Sequence, residues 1–292
     1  MKITKLLFLV TVVSAAAISN AASTGRWDQK PTPDEALKKL KEGNIRFVMG
    51  DSQFPNISPE RLAQAGAESQ ADHAFATVVS SSDSRVPVEL LFDAGVMDIL
   101  VIRIAGNVCD VNVLGSIEYG LAHVHTPLLV ILGNTQCDVV TAVTHEVQGR
   151  GRELEANIRP LMDDIVPAVK KAIHEHPTAG GDAVIPYAIE ENVWQSVKAV
   201  LERSPASRAL IESGKVKVVG AIYDVSNGGV RWLPQDRVEQ MLKEEVHLNS
   251  EKSVEEQSGS HDESSKKKKA EKREEPKKYN EYERRMDKLR RQ

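Results

Sequence analysis

Phe75-Ala76-Thr77-Val78-Val79-Ser80 runs directly into Ser81-Ser82-Asp83-Ser84-Arg85-Val86-Pro87. The first stretch is short and rich in β-branched residues that suit a pleated strand. The second is a polar turn, whose Ser and Asp side chains hydrogen-bond locally to the backbone. A helix near Val88–Phe92 is expected next. The same alternation then recurs. Asp98–Ile104 reads as a strand followed by a helix over Asn112–Ala122. Pro127–Leu132 reads as a third strand, and Gly133-Asn134-Thr135-Gln136-Cys137 leads from it into helix beginning at Asp138. Apolar strands separated by helices predict an α/β fold, a mostly parallel central sheet flanked by helices.

On the N-terminal side, residues 32–50 read as an amphipathic helix. Thr32 can cap it, Pro33 suits its first turn and Glu35 completes a capping box. Ala36, Leu37, Leu40, Ile45 and Phe47 supply its apolar side, and a second short helix is expected over Pro59–Ala67. On the C-terminal side, two long helical stretches are expected at 153–176 and 189–203. A strand over Val216–Val225 then turns through Ser226-Asn227-Gly228-Gly229 into Val230–Leu233.

The two ends of the 292-residue chain differ from its body. Residues 1–21 carry Lys2 and Lys5, an apolar run from Leu6 to Val13 and then small residues, the plan of a signal peptide. Export to the periplasm or the medium is therefore expected, with a domain over 22–247. From 248 the composition shifts to Ser, Glu and Lys, with a four-lysine block at Lys266–Lys269, so 248–292 reads as a charged, disordered tail. The tail is either a solvated extension or a tether to an anionic surface. Of the net charge of −4, residues 1–21 contribute +2 and residues 251–292 contribute +3, which leaves −9 on residues 22–250. Such a body gives no electrostatic basis for nucleic-acid binding. Export would place Cys109 and Cys137 where a disulfide can form; two buried thiols are the other reading.

The segment Ser81–Pro87 closely resembles the Cys-x-Asp-Ser-Arg motif of the β-class carbonic anhydrases, and Gly133–Cys137 resembles that family's Gly-His-x-x-Cys. Ala36–Gly50 is similar to the family's N-terminal helix ending in Gly-Asn-x-Arg-Phe. The resemblance continues through Glu89, Phe92-Asp93, Arg103, the Ala105-Gly106-Asn107 loop, Gly115–Tyr119, Asn192-Val193 and Gly220–Asp224, covering roughly residues 32–233. It implies a mixed sheet centred on parallel strands and a dimer interlocked through N-terminal helices. It also implies a zinc ion held by two cysteines and a histidine. Here Ser81 and Asn134 occupy two of those positions, and Cys137 alone of the three metal ligands is retained.

In working members of that family zinc lowers the pKa of a bound water to about 7. Thiolate and imidazole suit zinc, whereas a hydroxyl and a carboxamide are weak donors toward it. The expectation is a family member with a degraded zinc site, weak or inactive in CO2 hydration. Such a protein would serve as a dimeric binding or interaction protein with an anion site at Arg85 and Asn107, and no cofactor is predicted. The alternative is an active carbonic anhydrase with non-standard zinc ligation, using Asp83, Cys109 and Cys137. The nearby His73, His123, His125 and His145 read as solvated or satisfied instead of ligating. Pairing with an intact relative as a heterodimer is a third reading. Asp83 and Arg85 match the family's catalytic dyad, and a clamp on the first loop explains the pair equally well. No histidine is placed beside Ser81 to make it a nucleophile, Gly149-Arg150-Gly151 is too short for a phosphate loop, and Asn56-Ile57-Ser58 is a glycosylation sequon.

Overall fold

The structure, a computed structural model, describes residues 27–259, and side chains as far as residue 247. The expected leader at 1–21 and the tail beyond Gly259 lie outside the described residues. The chain divides into two units, 1–245 and 246–292. Helix α1 covers Pro33–Met49 and α2 covers Pro59–Ala67. Strand β1 (Ala76–Ser80) precedes the short α3 (Val88–Leu91), and β2 (Ile99–Arg103) precedes α4 (Val111–Glu118). Next come β3 (Leu128–Asn134), α5 (Asp138–Val147), α6 (Arg159–Asp163), α7 (Val166–Glu175) and α8 (Ile185–Arg203). Helix α9 (Pro205–Glu212), β4 (Lys217–Tyr223), β5 (Val230–Trp232) and α10 (Gln235–Gly259) complete the order.

The sheet runs β2-β1-β3-β4-β5. The first four strands are parallel, and β5 pairs antiparallel to β4 through the turn expected at 226–229. Side chains alternate across the strands, and this divides the core in two. Val78, Leu128, Val130, Leu132 and Ala221 face Ala36 and Leu40 of α1 and Leu91 of α3. Val79, Leu129, Ile131 and Ile222 face Val140 of α5, Val169 of α7 and Val193 of α8. The expected α/β architecture is therefore present, with helices on both faces.

Helix α1 starts as its sequence dictates. Thr32 caps it, Pro33 occupies the first turn, and Glu35 returns a carboxylate to the Thr32 N–H at 2.8 Å. Gly43 lets α1 touch the loop after α3, since a Cβ there would sit 1.8 Å from the Phe92 carbonyl oxygen. Gly133 does the same for α8, because a Cβ there would lie 2.7 Å from Val193 Cγ2. That contact seats α8 against the end of β3, where the second motif begins.

Two expectations need correction. The helix expected over 153–176 is two helices, α6 and α7, with 153–158 outside both. Pro160 and Pro167 each sit in a first turn, the position where the missing N–H costs nothing. Helix α8 begins at Ile185 instead of 189, again with a proline in its first turn. Helix α10 runs to Gly259. No described helix is long and apolar enough to cross a membrane.

Candidate functional site

The two motifs meet because β1 and β3 are parallel neighbours and each turn leaves the same end of the sheet. Ser81 follows β1, Asn134 ends β3, and Cys137 precedes α5. All three side chains are buried, at 3%, 0% and 2% exposure. Ser81 Oγ accepts from the Asp83 N–H at 3.2 Å, so it serves as a local turn cap. The Asn134 Nδ2 donates to the Thr135 carbonyl at 3.1 Å, and its Oδ1 is buried without a hydrogen-bond partner. Burial pushes the Cys137 thiol up, against the pull of the Val140 and Val139 N–H groups at the start of α5. The meeting turns thus bring together a hydroxyl, a carboxamide and a buried cysteine.

Asp83 and Arg85 form a close pair. Arg85 donates through NH2 to Asp83 Oδ2 at 2.5 Å and through Nε to Oδ1 at 3.0 Å. That guanidinium holds the Asp83 carboxyl below the usual carboxylate range. The pair is partly open to solvent: the Arg85 side chain is 42% exposed and that of Asp83 14%. Arg85 also donates to the Gln136 carbonyl at 3.0 Å, which ties the first turn to the second. Gln136 holds a left-handed backbone at φ 55°, a strained conformation for a non-glycine residue.

Arg103, noted in the sequence only as part of a matching stretch, has a definite role here. It ends β2 opposite Ser80, and its guanidinium donates to the carbonyls of Ser81 at 3.1 Å and Asp83 at 2.6 Å. The strand register alone carries that signal. Asn107 is buried in the Ala105–Asn107 turn and engaged by α8. Its carbonyl accepts from Ser196 Oγ at 2.9 Å, while its Nδ2 lacks a partner. Arg85 and Asn107 are therefore held by different elements.

The substitute ligands are dispersed. His73 meets Glu68 Oε2 at 2.5 Å and Arg61 at 3.2 Å. His123 stacks on Tyr119, His125 packs edge-on to Trp27, and His145 meets Asp182 at 3.0 Å. Cys109 is buried beside α8, where Arg203 donates to its carbonyl, and burial drives its thiol up to about 12. Among the described residues no three His, Cys, Asp or Glu side chains converge to hold a metal ion, so Asp83, Cys109 and Cys137 do not form the alternative set. Both cysteines are free, and the disulfide that export would permit is absent. The sequon asparagine Asn56 donates its Nδ2 to both Asp98 carboxylate oxygens, at 2.9 and 3.0 Å.

Comparison with known proteins places these motifs. A family model described as Carbonic anhydrase matches residues 76–230. The chain is 33% identical to "Carbonic anhydrase 2" of Mycobacterium tuberculosis, over 67% of this chain and 90% of that protein. It is 34% identical to "Carbonic anhydrase" of Mycolicibacterium smegmatis, over 68% and 92%. The crystal structure of the β-carbonic anhydrase CafA of Aspergillus fumigatus superimposes with a TM-score of 0.54 at 23% identity, over 72% of this chain and 97% of that one. At that identity the superposition speaks to the fold alone.

Proposed function

The chain belongs to the β-carbonic anhydrase family, and from that membership we propose that it is a member whose zinc site is lost, weak or silent in CO2 hydration, acting as a binding or interaction protein. One observation carries this reading. The Ser81 hydroxyl accepts from the turn backbone and Asn134 offers only a carboxamide oxygen, leaving Cys137 as the single soft donor. A hydroxyl and a carboxamide are poor donors toward a borderline-soft divalent ion, and one cysteine alone does not complete the set.

The test is the double variant Ser81→Cys with Asn134→His. The expected outcome is zinc near one per chain and a gain of CO2 hydration, with the unaltered protein lacking both. Equal zinc in the unaltered protein would overturn the proposal. A metal-free double variant would mean that the surrounding pocket has also changed.

The relatives' names support the rival reading, a working carbonic anhydrase with other ligands. The retained Asp83–Arg85 pair is compatible with it. An anion held at Arg85 and Asn107 is the finer form of the binding proposal. The half-exposed guanidinium and the unbonded Asn107 Nδ2 support it. Self-association, or pairing with an intact relative, is proposed through α1, where Ile45, Val48 and Met49 are 61%, 49% and 70% exposed. The leader-like start supports export, and the lysine-rich end supports contact with an anionic surface.

A further inference from the structure

A cavity of about 400 Å³ opens beside the motif turns, at the carboxyl ends of β3 and β4. In open α/β sheets ligands settle outside the carboxyl ends of the strands where the strand order reverses, here between β1 and β3, and this cavity lies one strand along. The volume falls in the range of roughly 300–1,000 Å³ typical of small-molecule sites, which pair apolar walls with a few polar groups. Its inner wall is apolar: Ile185, Pro186 and Ile189 from α8 and Ile222 from β4. Gln136 and Asp138 stand on its rim.

Charge at the rim selects among occupants. Asp182 lines the cavity but is shared by Arg150 at 2.7 Å and His145 at 3.0 Å. Arg231, also lining it, is matched by Glu190 at 2.8 Å. Asp138 is different: its side chain is 93% exposed and the cation it meets is Arg85, 4.0 Å away. Arg85 is already bound to Asp83 at 2.5 Å, with Arg103 also beside Asp83, so Asp138 is the carboxylate of the lining with no close ion pair of its own. The lining holds Asp138 and Asp182 against Arg231, in a body that is itself acidic.

We propose that this cavity binds a small organic cation with an apolar body, Asp138 meeting the ammonium group and the isoleucine wall meeting the body. The site borders the turn that carries Asn134 and Cys137, and its lining includes neither of them.

The test is an amide NMR titration of the full chain with phenethylamine at pH 7, with phenylacetate and ethylamine as matched probes. Phenethylamine is expected to give saturable shifts at Gln136, Thr141 and Ile222, while ethylamine gives none. Phenylacetate is expected to bind about fivefold more weakly or not at all. Asp138→Asn should weaken phenethylamine about two- to fivefold, the range of an exposed ion pair. Ile185→Ser should weaken it about tenfold through lost apolar contact. Because Asp138 is a surface residue, its variant keeps the test valid even where Ile185→Ser perturbs folding. Equal binding of phenylacetate, indifference to Asp138→Asn, or no saturable shift at these residues would overturn the proposal.

Discussion

At position 81 a hydroxyl stands where the family has a thiolate, and its proton stays on at neutral pH while its oxygen caps the turn through the Asp83 N–H. Individual side chains elsewhere make equally definite commitments. Cys109 and Cys137 are 5% and 2% exposed, and burial raises both thiols. Alkylation at pH 8 is therefore expected to leave both untouched in the native protein and to label two thiols after denaturation; a single labelled thiol or none would contradict this. Asp93 gives a pH signature. Burial pushes its carboxyl up, yet the N–H groups of Gln53 and Phe54 and the Arg46 guanidinium outweigh that and hold it below the usual range. A depressed folded pKa stabilises fully above the unfolded value near 3.9, and the contribution is lost as pH falls through the folded value. Asp93→Asn should cost about 1–3 kcal/mol at pH 7. Its unfolding free energy should also fall less steeply than the parent's below about pH 4 in urea titrations. The residues legible from sequence were those carried by a motif: Ser81, Asp83, Arg85, Asn134 and Cys137. Arg103 and Gln136 were not, because their roles arise from strand register and a left-handed turn that no local pattern announces.

Among the elements, those with their own start signals were readable. The capping box of α1 and the β-branched runs of β1 and β3 lie close to where their residues place them. An apolar helical pattern runs through both α6 and α7, and the prolines that open each helix are what divide it. Helices α9 and α10 follow no pattern that the sequence singles out. Pro205 opens α9 behind the Ser204 cap, and α10 owes its early part to tertiary contact. Arg237 donates to both Glu191 oxygens, at 2.9 and 2.8 Å, and lies over the Trp194 ring. Element packing is tightest where α1 crosses Phe92. Gly43→Ala should therefore destabilise by about 1–3 kcal/mol, read as a lower urea midpoint with an unchanged slope. An unchanged midpoint would mean that α1 does not press on this loop.

For the whole molecule, the α/β layering was visible from alternation alone, whereas surface properties required the fold. Helix α1 leaves Ile45 and Met49 open to solvent although its other side is buried. If that strip is where copies meet, Ile45→Glu with Met49→Glu should shift sedimentation from dimer to monomer without loss of helix signal. A parent protein that is already monomeric would remove the proposed association. The acidic body and basic C-terminal end also predict opposite responses to anionic vesicles: the full chain should sediment with them at low salt, and a chain ending at residue 249 should not.

The most direct measurement is the zinc content of purified full-length protein, taken together with its CO2 hydration rate. Loss of the thiolate at 81 and the imidazole at 134 should leave zinc far below one per chain and hydration at the buffer rate. Zinc near one per chain, with hydration well above buffer, would contradict a lost metal site and make this chain a working carbonic anhydrase.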